Sequence, residues 1–389
     1  MKVGIDRIEF STPNRYLDLV DLAHARGADP NKYLIGIGQR KMAVPTLSQD
    51  IVAMGANAAE GMFGGLDDKE KASIGLLIVA TESGVDQSKA SALFVHDLLG
   101  LPSSMRAIEI KEACYGGTAG LQLAADFVRA HPGTKALVIA ADIARYGLNA
   151  GGEVTQGAGA VAMLVAENPH ILALEERSVV RSRSIDDFWR PNYSAEAFAK
   201  GKYSEQVYLE MFAEDWREAE SLGLTQVSGL QALLFHIPFS KMGRKGLRTL
   251  ESVIPVSDYE RLTARFEKGI MYGQEVGNLY TASLYLSLIS LLERDESLCA
   301  GDRIGLFSYG SGSVAELFFG ILQTGYRDRL NRTGHEALLA ARQRLSIDEY
   351  ESIFSASLVT DGSQQDIEDG DPAALHALIR MEGHERFYR

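Results

Sequence analysis

The chain has 389 residues, 46% of them hydrophobic, and a formal net charge of -13. That length and apolar content can bury a large core and exceed one minimal domain, while the acidic balance disfavours a phosphate backbone as principal partner, so a soluble enzyme is the simplest expectation. The only cysteines, Cys114 and Cys299, are too few for a cysteine zinc site and have no reason to pair in a reducing compartment; no metal is expected.

In chain order, "MKVGIDRIEFSTP" alternates as a strand does and lacks a signal peptide's apolar core. No later stretch approaches the roughly 20 apolar residues of a membrane span, so a cytoplasmic protein is expected. "IGLLIVATES" then predicts a buried strand, "KASALFVHDLLG" a helix stopped by Gly100, "MRAIEIKE" a strand, and "GGTAGLQLAADFVRAHPG" a helix ended by Pro132 and Gly133. "KALVIAADIA" and "GAGAVAMLVAEN" are two further strands. This alternation predicts an α/β fold with a mostly parallel or mixed sheet covered on both faces. Residues 184–225 contain "EQVYLEMFAEDWREAESLG", read as an amphipathic helix inserted on the surface. "LQALLFHIPFS" predicts a strand, "SLYLSLISLLERD" a buried helix, and "RIGLFSYGSGSVAELFFGIL" two strands joined at a glycine turn. "CYGGTAGLQLAADFV" and "GNLYTASLYLSLISLL" both run from small residues into a buried helix, which suggests an internal duplication. Beyond residue 325 the chain reads as charged and helical, with "VTDGSQQDIEDGDPAAL" as an acidic loop.

Cys114 sits where a strand gives way to a helix, whose free N–H groups and positive dipole end favour a thiolate. Gly116, Gly117, Ala119 and Gly120 allow that helix to approach other backbone closely; a buried inert cysteine is the plain alternative. A cysteine nucleophile needs partners. His236 ends an apolar run before a proline, Asn278 follows a glycine at a helix start where it could serve as an N-cap, and Glu82 places a carboxylate directly after a buried strand. The turns "YGLNAGGEVTQGAGA" and "FSYGSGSVAE" lack a P-loop lysine and a dinucleotide fingerprint, and suit backbone donors approaching a substrate carbonyl. His24, His96 and His131 fall on ordinary helices, and His335, His376 and His384 in the polar tail, so none joins the set.

The ordered set Glu82, Cys114, His236 and Asn278, within "IGIGQRKMAV", "QDIVAMGANAA", "VATES", "KEACYGGTAG", "DIARYGLNAGGEVTQGAGAVAM", "DFWRP", "FHIPFSKMGRK", "GNLYTASLYLSL" and "LFSYGSGSVAE", resembles the bacterial 3-hydroxy-3-methylglutaryl-CoA (HMG-CoA) synthases of the thiolase superfamily over about residues 1–325. The resemblance implies duplicated βαβαβαββ halves in a five-layer αβαβα architecture. Residues 1–169 would carry the catalytic Glu and Cys; residues 170–389 would carry the His and Asn, a helical insertion near 184–225 and a helical tail. It also implies a homodimer that joins acetyl-CoA to acetoacetyl-CoA through acetyl-Cys114 in the mevalonate route to isoprenoids, with Glu82 as base and His236 catalytic. Asn278, Tyr146, Thr155, Ser204 and Ser311 would line the acyl pocket. Asp29 would lie near the nucleotide end of CoA, with Lys241 or Lys245 at its phosphates. No metal, redox cofactor, nucleic acid or membrane is implied. The rivals are a synthase acting on a carrier-protein-bound polyketide and a β-ketoacyl carrier-protein synthase III-like enzyme; Glu82 speaks against the latter, because decarboxylative condensation needs no base at a methyl group.

Overall fold

The computed structural model describes residues 1–194 and 196–389. In the first half, strands β1 (Val3–Ser11), β2 (Ile74–Ala80), β3 (Arg106–Ile110), β4 (Lys135–Ala144) and β5 (Gly157–Glu167) pair in the order β3-β2-β4-β5-β1. Strand β2 is parallel to both β3 and β4, whereas β5 is antiparallel to β4 and β1. The second half repeats this pattern without a counterpart of β3. Here β8 (Leu230–Phe235) is parallel to β9 (Arg303–Gly310), which is antiparallel to β10 (Val314–Leu322), and β10 is flanked by β6 (Leu172–Leu174) and β7 (Val179–Ser182). Because β6 also pairs with β1, the two sheets meet as one 10-stranded sheet.

Period-2 alternation sorts the strand side chains into layers. Ile78 and Val138 share a core with Leu234, Leu306 and helices α3 (Gly116–Ala130) and α7 (Ser283–Arg294). Their neighbours Leu77, Val79, Leu137 and Ile139 instead meet α1 (Ile51–Phe63) and α2 (Ser91–Leu98). On the far face of the second sheet, Leu233, Phe235 and Phe307 meet α4 (Gly201–Ser221), α5 (Ser240–Arg248) and α6 (Val256–Gly269). The result is the expected five layers. The central helix α7 is buried from Ser283 to Glu293, which is why its sequence is apolar almost all round. At Gly117, at the start of α3, a Cβ would lie 2.4 Å from the Thr281 carbonyl oxygen, so only glycine lets these two helix starts meet.

Two expectations change. Helix α4 is no surface insertion: Tyr208, Met211, Phe212 and Trp216 pack on the second sheet, and it joins β7 to β8 as α1 joins β1 to β2. The tail is helical in a 3-10 turn at Tyr326–Arg329 and at α8 (Arg332–Ala340) and α9 (Ile347–Ser355), and then forms an antiparallel sheet of β11 (Gln365–Asp366), β12 (Leu378–Glu382) and β13 (Glu385–Tyr388). Gly383 and His384, at φ +58° and +67°, make the tight turn that a two-residue hairpin requires. Charge masked the alternation of its strands.

Candidate active site

The two halves bring their strand ends to one place. Glu82 follows β2 and Cys114 lies between β3 and α3, while His236 follows β8, Asn278 precedes α7 and Ser311 follows β9. Ala113 holds φ +40°, a costly conformation for a residue with a Cβ, and turns the chain so that Cys114 emerges before the helix. The Cys114 thiol donates to Glu82 Oε1 at 3.3 Å.

The electrostatics run opposite to a simple helix-dipole argument. Burial, followed by the charge of Asp142, pushes the Glu82 carboxyl up to about 8. Asp142 is itself raised by burial, although it accepts from Glu82 N at 2.8 Å, Ser83 Oγ at 2.8 Å and Thr281 Oγ1 at 2.6 Å. Burial and the neighbouring Glu82 push the Cys114 thiol well above its ordinary value, so the positive end of α3 does not leave a resting thiolate. The hydrogen bond gives a route by which a proton can pass from sulfur to carboxyl when the sulfur attacks an electrophile. His236 is lowered to about 3 by burial and is a neutral imidazole. Its backbone is fixed on both sides, N–H donating to Phe307 O and carbonyl accepting from the Tyr208 hydroxyl, each at 2.8 Å.

Asn278 Oδ1 accepts from Tyr280 N and Ser283 Oγ, both at 2.9 Å, which fixes the amide orientation and leaves Nδ2 buried with no partner of good geometry. The Tyr280 hydroxyl is in the same position. The Tyr146 hydroxyl lies next to both groups, and this cluster of buried donors in the cleft that Cys114 lines marks a place where a substrate carbonyl can bind.

All of this opens onto a cleft of about 510 Å³ lined by Cys114, Tyr146, Gly152, Thr155, Ser204, His236, Asn278 and Ser311 among others. Seven of the residues expected at the site therefore share one cavity, and Glu82 joins them through Cys114. Both glycine-rich turns also reach it. Thr155 donates its hydroxyl to Gly152 O at 2.8 Å, and Ser204 donates to Asp187 at 2.9 Å. Asp29, Lys241 and Lys245 are not part of the lining. Exposed Asp29 caps the Asn31 amide at 3.0 Å, and Lys245 pairs at 2.6 Å with Glu205, which does line the cleft. Lys241 lies at the start of α5, beside Gly38.

Several site residues were missed from sequence. Buried Asp187 also accepts from Tyr309 OH at 2.7 Å and Gly312 N at 2.9 Å, Phe188 lines the cleft, and Arg190 donates to the Glu82 carbonyl. The signal was "DFWRP", whose residues had no assigned role. Asp142 was visible as the one acidic residue in a buried strand run. Among the described residues, no group of three or more His, Cys, Asp or Glu is placed to hold a metal ion, and no helix is long and apolar enough to cross a membrane.

The family model for the hydroxymethylglutaryl-coenzyme A synthase N terminal matches residues 1–170, and that for the C terminal matches residues 248–360. The chain belongs to the HMG-CoA synthase family. A hydroxymethylglutaryl-CoA synthase of Enterococcus faecalis is 52% identical over 378 residues, covering 97% of this chain and 98% of its own. A crystal structure of an HMG-CoA synthase complexed with CoA superposes with a TM-score of 0.96 at 40% identity, over 100% of this chain and 99% of the other. A polyketide biosynthesis 3-hydroxy-3-methylglutaryl-ACP synthase of Bacillus subtilis is 34% identical, covering 92% of this chain and 89% of its own. Membership accords with the layered duplication and with a cleft shared between both halves of an HMG-CoA synthase chain.

Proposed function

We propose that the protein condenses acetyl-CoA with acetoacetyl-CoA and water to give HMG-CoA and CoA through acetyl-Cys114, in the mevalonate route to isoprenoids. The observation that carries this reading is the Cys114 thiol on the Glu82 carboxyl at 3.3 Å, in one cleft with neutral His236 and the buried Asn278 amide. Cys114 sulfur attacks the acetyl carbonyl as its proton passes to Glu82, and that proton leaves with CoA. Glu82, again a carboxylate, removes a methyl proton from the acetyl thioester. Its raised basicity brings it closer to the weak carbon acid, and backbone N–H donors, those of Cys114 and Ser311, stabilise the enolate oxygen. The enolate carbon attacks the ketone of acetoacetyl-CoA, protonated Glu82 supplies the alkoxide with a proton, and water cleaves the Cys114 thioester. His236 and Asn278 position the acyl chain; Tyr146, Thr155 and Ser204 bound it. Lys241, Lys245 and Asp29 lie toward the nucleotide end of CoA. The two halves, 1–169 and 170–389, each supply part of this set, and the chemistry needs no metal or redox group.

We assign a cytoplasmic homodimer. The edge strand β3 supports a pairing surface: it has a neighbour on one side only, and Ile108 remains 41% exposed. The 52% identity to a CoA-named relative, against 34% to the carrier-protein synthase, favours free CoA thioesters. Mass spectrometry after incubation with acetyl-CoA is expected to find one acetyl group on Cys114 and none in Cys114→Ser; an unacetylated wild type sinks the mechanism. Turnover is expected with acetoacetyl-CoA, and strong preference for acetoacetyl-carrier protein overturns the substrate assignment.

A further inference from the structure

We propose that Tyr350, on tail helix α9, is a positioning residue that sets one wall of the catalytic cleft through Gln156 and Glu153; the inference rests on the condensing activity above. The wall is the segment 145–156, which carries Tyr146, Gly152 and Thr155 into the cavity but, apart from a short 3-10 turn at Glu153–Thr155, has no helix or strand of its own. It is held by side chains instead. The buried Tyr350 hydroxyl accepts from Gln156 Nε2 at 2.8 Å and donates to Glu153 Oε1 at 3.1 Å. Gln156 passes the constraint on, because its Oε1 accepts the backbone N–H of Tyr146 at 2.9 Å. Glu153 Oε2 accepts the N–H of Asn149 at 3.0 Å, and its carboxylate is gripped by Arg26 at 2.9 and 2.7 Å. One phenol thus closes a network that ties both ends of the segment.

The hydroxyl and the ring have separable duties. The ring packs with Leu17, Val154 and Leu345, a role phenylalanine would fill equally well. The hydroxyl bonds only to the two wall residues among the described residues, so its loss leaves Gln156 Nε2 buried without an acceptor and frees Tyr146 to shift. Tyr146 lines the same cleft as Cys114, its ring 5.9 Å from Phe188 and 6.1 Å from Tyr280, which line it too. A loosened wall beside Cys114 misplaces the acyl group more than it weakens the binding of the rest of CoA, so the loss falls on kcat.

The test compares Tyr350→Phe with Ile347→Ala, a packing change on the same helix outside the network. In Tyr350→Phe, kcat is expected to fall about tenfold, the cost of one unpaired buried group expressed in the transition state, with the KM for acetoacetyl-CoA within a factor of about two. Amide exchange over residues 145–157 is expected to accelerate. Ile347→Ala should lower the thermal midpoint while keeping wild-type kcat and wild-type exchange in that segment. Unchanged kcat or unchanged exchange in Tyr350→Phe, or equal changes in Ile347→Ala, overturns the proposal. Exchange needs no turnover: an inactive wild type whose segment still loosens in Tyr350→Phe fails the activity reading, not the dependence of the wall on Tyr350.

Discussion

Two buried clusters of ionisable groups use similar ingredients to opposite ends. At the cleft, Glu82, Asp142 and Cys114 crowd together with the guanidinium of Arg190 engaged on a backbone carbonyl, and all three proton affinities move upward. At the seam between the halves and the tail, His335 lies between Glu293 at 2.8 Å and Glu9 at 2.7 Å. Burial there would lower the imidazole, but the two carboxylates outweigh it and raise His335 to about 9. Tyr272 OH donates to the same Glu293 at 2.6 Å. The site stores proton affinity by burying neighbouring acids whose charge Arg190 and the donors to Asp142 offset only in part, whereas the seam sets one shared cation between two carboxylates and gains cohesion from it.

The largest test removes the frustrated carboxylate. Glu82→Gln loses the acceptor of the Cys114 proton but also the charge that raises the thiol, so it is expected to acetylate still at raised pH, and from that preformed acetyl-enzyme to lose about 10²- to 10⁴-fold in condensation, the range for a positioned general base, as read by single turnover. Normal condensation would place the base elsewhere. In wild type that same step is expected to slow as pH falls through about 8, because Glu82 must be unprotonated to take the methyl proton. Removing its charge should also lower the Cys114 thiol, so alkylation by iodoacetamide shifts to lower pH in Glu82→Gln.

The seam breaks differently. His335→Ala leaves Glu9 and Glu293 buried without their shared cation and is expected to cost about 3–5 kcal/mol of stability by denaturant titration, with kcat unchanged while folded. The sign with pH follows from the raised pKa: the contribution is full below the unfolded value of about 6.5 and disappears as pH rises through about 9, roughly 3 kcal/mol in all. Wild type should therefore lose stability across that window and His335→Ala should not. A parallel decline in both would show that the histidine does not carry the linkage.

This contrast also explains what could be read from the chain. The strands and central helices were legible because burial imposes period 2 or near-complete apolarity, and Glu82, Cys114, His236 and Asn278 were legible because each follows a strand or precedes a helix in a local motif. His335 was set aside as a polar tail residue, since its partner Glu9 is 326 residues away and no local pattern records such a pairing. Tyr350 was silent for the same reason, with Gln156 194 residues upstream. Asp187 stood in a quoted motif, but its acceptor role toward Ser204, Tyr309 and Gly312 requires three separate segments to converge.

A third buried cluster, around Asp50, lies between the two extremes and gives the smallest expected effect. Asp50 caps α1 through the N–H groups of Val52 at 3.1 Å and Ala53 at 3.0 Å, and the terminal hairpin reaches it through Tyr388 OH at 2.6 Å and Arg386 at 3.0 Å. Burial nevertheless raises Asp50, so its partners compensate it only in part. Tyr388→Phe removes one charge-assisted hydrogen bond, leaves the cap and Arg386 in place, and keeps the ring against Phe94, 5.7 Å away between centroids. The expected loss is about 1.5 kcal/mol, with amide exchange accelerated in the hairpin and kcat unchanged. A loss as large as that of His335→Ala would mean that the Asp50 cluster, like the seam, depends on full compensation; no loss would mean that the two backbone N–H groups and Arg386 already satisfy the carboxylate.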